Sequence, residues 1–219
     1  MNIGIIGAGN IGGTLTRRLS ALGHNVSVAN SRGPETLAGL AEETGAKAVT
    51  IREAAHAGEV VVVTIPLGHV PDLPKGLFSD VAGSVVVIDT CNYYPQRDGR
   101  IDEILAGKPE SQWVEQQIGH PVVKAFNNIR AQHLMEMGRP AGSQGRIALP
   151  VAGDNPKAKQ IVMRLVDELG FDAVDAGGLS ESWRQQPGTP VYTTDQDAEG
   201  VRRALREASK ERPPQFRAA

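Results

Sequence analysis

The first fifteen residues, MNIGIIGAGNIGGTL, constrain the fold of this chain more than any other stretch. Asn2 to Ile6 are apolar and rich in isoleucine, the signature of a strand buried on both faces. Gly7-Ala8-Gly9-Asn10-Ile11-Gly12 follows at once, and Ile11, Leu15, Leu19 and Leu22 then recur at helical spacing. Strand, GxGxxG turn and amphipathic helix, in that order, describe the first half of a dinucleotide-binding βαβ unit. In such a unit the first glycine permits the tight turn and the second lets a pyrophosphate approach the backbone. The third lets the helix lie close to the sheet. The start of the helix adds free N–H groups and a partial positive charge. Gly7, Gly9, Asn10, Ile11 and Gly12 are therefore expected to line a pyrophosphate.

The next strand, Asn25 to Ala29, arrives at the spacing that completes the unit. A carboxylate usually stands at its end, where it accepts hydrogen bonds from a ribose 2′-hydroxyl and repels a 2′-phosphate. Here that place reads Asn30-Ser31-Arg32. A planar guanidinium pairs with phosphate oxygens, and a serine hydroxyl donates to them. Ser31 and Arg32 thus point to NADP(H) rather than NAD(H). Gly33-Pro34 is expected to open a helix running to Thr44, its N–H groups facing the same anion, with Gly45 ending it.

Strands and helices continue to alternate. Val60–Ile65, Ser84–Asp89, Pro121–Phe126, Ile147–Ala152 and Phe171–Asp175 read as strands. Asn155 caps a helix that starts at Pro156 and runs through Leu169, and Thr193–Ser209 reads as a C-terminal helix. This order predicts an α/β fold: an extended Rossmann-type, doubly wound, mainly parallel sheet in a single domain over residues 1–219. Within it, 1–175 form the Rossmann core and 176–219 an irregular segment plus the C-terminal helix. Segments 92–120 and 176–195 are the least regular, and such segments often border active sites.

The chain has 219 residues and a net charge of −2, from 23 Lys and Arg against 25 Asp and Glu. Nothing in that balance favours nucleic acid or an anionic membrane. The single cysteine, Cys91, excludes an internal disulfide and a cysteine-built zinc cluster. No apolar run reaches membrane-spanning length, and the N-terminus lacks a basic leader region. A cytoplasmic protein with small-molecule partners and no metal is expected. No serine–histidine–acid order or metal-ligand spacing emerges. Hydride transfer accounts for this, because the nicotinamide and its acceptor carry the chemistry.

Three further strand ends, TIPLGH (64–69), VVIDTCN (86–92) and VVKAFNNI (122–129), join the N-terminal motif and NSRGPE (30–35) in a wider pattern. Together they resemble the NADPH-dependent reductases of the deazaflavin coenzyme F420. The resemblance covers residues 1–175; residues 179–219 depart from it. It implies a homodimer that moves a hydride between NADPH and C5 of a deazaflavin co-substrate. It also implies that Thr64, Ile65 and Pro66 flank the nicotinamide, and that Ala125 and Asn127 sit near the transfer face.

Lys124-Ala125-Phe126-Asn127-Asn128 invites a second enzyme reading, since a similar lysine–asparagine set transfers protons in β-hydroxyacid dehydrogenases. There the set lies on a helix; here the lysine falls on a strand, where Lys124 and Asn127 point to opposite sides. An imine or β-hydroxyacid reductase, or a non-catalytic NADPH-binding redox sensor, remain the alternatives. His69, Asn92, His133 and Trp183 are the candidates for a substrate pocket.

Overall fold

The computed structural model describes residues 1–217. In chain order the elements are β1 (Asn2–Ile6), α1 (Asn10–Ala21), β2 (Asn25–Ala29), α2 (Ala38–Thr44), β3 (Lys47–Ala48), α3 (Ile51–Ala55) and β4 (Val60–Val63). Then come β5 (Val86–Asp89), α4 (Pro95–Asp98), α5 (Asp102–Leu105), α6 (Glu110–Ile118), β6 (Val122–Lys124) and α7 (Ala131–Glu136). The chain closes with β7 (Ala148–Val151), α8 (Pro156–Glu168), β8 (Asp172–Asp175) and α9 (Ala198–Glu207). Short 3₁₀ turns occupy Pro34–Leu37, Leu67–Asp72 and Leu179–Gln185.

Six strands form a parallel sheet in the order β3-β2-β1-β4-β5-β6, the doubly wound order of a Rossmann fold. The chain winds outward from β1 through β2 to β3, then returns to β4 on the other side of β1. The winding therefore reverses between β1 and β4, where Ile3 pairs with Val60 and Ile6 with Val63. A crevice opens at the carboxyl ends of strands at such a reversal.

The run Val60–Val63 shows why a parallel sheet forms. All four valines are buried. Val60 and Val62 join one apolar cluster, and Val61 and Val63 the other, as the two-residue period of a strand requires. Burial on both faces demands helices above and below, and it excludes a half-solvated antiparallel arrangement.

The last two strands do not extend the main sheet by a ladder. β7 and β8 pair with each other in parallel and touch the main sheet through one antiparallel bridge, Lys124 with Ala152. Phe126 explains the break: its φ of 59° turns the chain away two residues after β6 ends. The core is nonetheless continuous, since Ile5, Leu15 and Ile88 cluster with Leu149, Val162 and Phe171.

Segment 92–120, irregular by sequence, carries α4, α5 and α6. The helix expected over 34–44 is divided into a 3₁₀ turn and α2. The expected 193–209 helix is confined to 198–207, with Asp197 accepting from Gly200 N at its start. Asn155 caps α8 by accepting from the backbone N–H groups of Lys157 and Ala158. Among the described residues, no helix is long and apolar enough to cross a membrane.

Candidate functional site

A cavity of about 400 Å³ lies at the winding reversal. Its walls come from three consecutive strand ends: Gly7 and Gly9 after β1, Ser31 and Arg32 after β2, and Thr64, Ile65 and Pro66 after β4. A second, more open hollow continues it past Gly9, Asn10 and Arg32. Ile11 is half-buried, packs its side chain on the core and lines neither hollow.

The three motif glycines differ in what limits them. Gly7 has φ +110°, and a Cβ there would stand 2.2 Å from the carbonyl oxygen of Thr64. At Gly12 a Cβ would stand 1.9 Å from the carbonyl oxygen of Gly7. Both are fixed by the protein's own packing. Gly9 is exposed, and a Cβ there would meet nothing within 4 Å. The fold itself leaves that space free, in front of the start of α1, which has neither a side-chain cap nor an acid in its first turn. Uncapped N–H groups facing open space fit a phosphate.

After β2, Asn30 Oδ1 accepts from Arg32 N at 2.9 Å, and Asn30 Nδ2 donates to Thr36 Oγ1 at 2.9 Å. This tight turn fixes the backbone on which Ser31 and Arg32 stand exposed. Among the described residues Arg32 has no ion-pair partner. The following segment opens as a 3₁₀ turn with Glu35 in its first turn, folded back over Gly33. A set of helical N–H donors is thus not presented there, and anion recognition falls to Ser31 and Arg32.

Thr64 and Ile65 are half-buried at the end of β4, with Thr64 N donating to Ile6 O at 2.9 Å. Pro66, exposed, starts the 3₁₀ turn that carries His69. His69 lines the cavity and is exposed, its Nδ1 2.8 Å from Asp72 Oδ2. Ile51, Asp72 and Leu73 also line it. Sequence reading missed these three, although the His69-x-x-Asp72 spacing of one helical turn was a usable signal.

Ala125 and Asn127 lie at the same carboxyl edge but are buried. The Asn127 amide is engaged by the protein: Nδ2 donates to Asn92 Oδ1 at 3.0 Å and to Gln185 O at 2.7 Å. Its Oδ1 accepts from Gln185 Nε2 at 3.0 Å. Asn92 donates to Asn127 O at 2.9 Å. Asn92, Asn127 and Gln185 therefore tie the ends of β5 and β6 to the 179–185 turn.

Lys124 and Asp89 are both fully buried and form an ion pair at 3.2 Å. Asp89 also accepts from Ser111 Oγ at 2.6 Å and Cys91 N at 2.8 Å, and Lys124 Nζ donates to Cys91 O. Burial, reinforced by Asp89, pushes the Cys91 thiol well up. Glu110, fully buried, is held by Arg212 Nη2 at 2.7 Å and Tyr93 N at 3.1 Å. Burial raises its pKa against the opposing pull of Lys124 and Arg212. A lysine locked in this way has no path to a reacting atom in the cavity.

The other two substrate candidates lie apart from the cavity. His133, on α7, pairs with Asp195. Trp183 lines a different cavity, with the Arg184 guanidinium 4.4 Å above its ring centre. Among the described residues no group of three or more His, Cys, Asp or Glu side chains stands ready to hold a metal.

Residues 2–93 match the model of the family described as NADP oxidoreductase, coenzyme F420-dependent. That stretch contains the glycine turn, Ser31-Arg32 and Thr64-Ile65-Pro66. The chain is 52% identical over 71 residues to protein YjhV of Escherichia coli K12. The match takes in 32% of this chain and 52% of YjhV, so it spans about half the length of that relative. The crystal structure of hypothetical protein SMa0349 from Sinorhizobium meliloti is similar with a TM-score of 0.75 at 31% identity, covering 89% of this chain and 95% of that one. A "putative f420 dependent nadp-reductase" from Arthrobacter sp. FB24 shares the fold, with a TM-score of 0.70 at 23% identity over 83% of this chain and 87% of its own.

Proposed function

We propose that this protein is an oxidoreductase that transfers a hydride between NADP(H) and a flat, conjugated acceptor of the deazaflavin or flavin type. One observation carries the reading. Within a single cavity, the open space at Gly9 faces the start of α1 while Arg32, after the next strand, stands exposed and has no ion-pair partner among the described residues. A 2′-phosphorylated dinucleotide has anions at just these two places.

When bound, NADPH supplies the hydride. The chain's own residues bind and orient. Gly7, Gly9 and Gly12 shape the turn, and the backbone N–H groups of Asn10 and Ile11 meet the pyrophosphate. Ser31 and Arg32 hold the 2′-phosphate. Thr64, Ile65 and Pro66 wall the nicotinamide side, where Pro66 offers a rigid surface with no N–H. Asn127 acts as a positioning residue, holding Asn92 and the 179–185 turn at the carboxyl edge. Hydride transfer needs the reacting atoms brought to about 3–3.5 Å and water excluded, and no side-chain acid or base. The buried, paired Lys124 speaks against the imine or β-hydroxyacid reading, which needs a proton donor. We further propose a cytoplasmic homodimer, on the family resemblance.

Titration with NADPH and NADH tests the cofactor. NADPH is expected to bind at least about tenfold more tightly, and Arg32→Ala to remove most of that preference while leaving NADH almost unchanged. An equal affinity, or a preference for NADH, overturns the reading. Turnover of NADPH with a panel of deazaflavins, flavins and quinones then tests the acceptor. Tight binding with no oxidation by any of them favours a sensor.

A further inference from the structure

A second cavity, of about 380 Å³, lies between α5, residues 183–189 and the C-terminal segment 209–217. It shares no lining residue with the dinucleotide cavity. We propose that it is a binding site for a small dianion presenting carboxylate or phosphate oxygens.

Two buried donors without acceptors carry the proposal. Gln186 is only 7% exposed. Its Oε1 accepts from Arg212 Nη2 at 3.1 Å, which fixes the orientation of the amide and leaves Nε2 as the free end. Among the described residues, neither Gln186 Nε2 nor Arg212 Nη1 has a hydrogen-bond partner, although both atoms are buried. Buried polar groups are normally paired. Two neighbouring orphans of the same sign, on side chains that border one cavity, mark the place of an acceptor. A guanidinium N–H beside an amide N–H suits a group with two oxygens, as carboxylate and phosphate have.

The charge of the lining agrees. Lys210 has no carboxylate partner among the described residues and stands 5.4 Å from the Trp183 ring centre. Arg212 binds Glu110 through Nη2, and its Nη1 has no partner among the described residues. Among the described lining side chains Glu211 is the sole acid, and Arg217 covers it at 2.7 Å. The wall is also closely fitted. At Gly188, φ +89°, a Cβ would stand 2.8 Å from both Phe216 and Pro213, so the C-terminal segment is seated against the 186–189 turn. The volume suits an anion of several heavy atoms.

Trp183 borders the cavity and gives the readout. The full-length protein is titrated with inorganic phosphate and, separately, with succinate, at constant ionic strength, while tryptophan fluorescence is followed. Both titrations are repeated at saturating NADPH. We expect a saturable change in the millimolar range or tighter with at least one anion, unaltered by NADPH. Which of the two binds tells phosphate from carboxylate. Gln186→Leu is expected to weaken binding about tenfold, the loss of one hydrogen bond to a charged group, with NADPH affinity unchanged. Lys210→Ala, at an exposed position, gives a second test should Gln186→Leu fail to fold, and is expected to weaken binding severalfold. The proposal is overturned if neither anion gives a saturable change. It is equally overturned if NADPH displaces the anion, or if a folded variant binds as the parent does.

Discussion

Lys124→Met separates a structural lysine from a catalytic one. Methionine keeps the length and apolar stem but leaves Asp89 buried without its cation. At 3.2 Å, and with the effective dielectric of about 20 that suits protein sites, the lost attraction is about 5 kcal/mol. Asp89 keeps two donors, Ser111 Oγ and Cys91 N, and the lysine's own desolvation cost disappears. The expected destabilisation is therefore about 3–4 kcal/mol, within the range for breaking a buried pair from one side. Adding Asp89→Asn removes the stranded charge while keeping an acceptor for one of the two donors. The double variant should recover about 2 kcal/mol relative to Lys124→Met alone. Urea unfolding followed by circular dichroism, compared at equal m-value, measures both. Turnover of the folded protein at saturating NADPH should fall no more than severalfold. A Lys124→Met protein of parental stability would refute the ion-pair reasoning. One whose turnover collapses while its stability holds would return the lysine to the proton-transfer role.

Gly9→Ala should leave the urea midpoint of the free protein nearly unchanged, because its Cβ meets nothing, yet weaken NADPH about tenfold or more. Gly12→Ala, with its Cβ 1.9 Å from a carbonyl oxygen, should instead cost more than about 3 kcal/mol or prevent folding. Cys91 should resist a thiol-specific disulfide reagent in the native protein and react on denaturation, since it is buried and its thiol is pushed up; rapid native labelling would contradict its placement. For Arg212→Leu the sign runs through Glu110. Its folded pKa is raised, so stability falls as pH rises from the unfolded value of 4.5 through the folded value, and losing Arg212 raises the folded value further. The stability gap between parent and variant should therefore be largest near neutrality and close as pH falls below 4.5; a gap independent of pH would refute it.

Much of this architecture was legible from local pattern alone. β1, the glycine turn and α1 form from contiguous residues whose periodicity changes from two to nearly four at Gly7. The all-valine run Val60–Val63 could only be an inner strand. What escaped was short or non-local. α3 has five residues and little apolar periodicity, yet Thr50 and Glu53 form a reciprocal capping box at its start. The pattern S/T-x-x-E was there to be read. β3 is two residues long and exists only because Ser27 and Val28 of β2 offer it an edge. The amide cluster at the site joins Asn92, Asn127 and Gln185, which are 35 and 58 residues apart, so no spacing rule could assemble it.

The charged pair inside the sheet belongs to a different class, because its two halves were visible and only their pairing was not. β5 reads Val-Val-Ile-Asp and β6 reads Val-Val-Lys: each valine-rich strand ends on a charge, and the charges are opposite. A buried position in a doubly covered sheet cannot retain such a residue alone, since an isolated buried ion costs several kcal/mol. The two must therefore meet, and the parallel register that aligns Asp89 with Lys124 lets them. The same argument ranks the functional candidates. A lysine needed to cancel a buried aspartate cannot also be free to exchange protons with a ligand. Arg32, which has no carboxylate partner among the described residues, is the cation that the proposed reading assigns to the ligand.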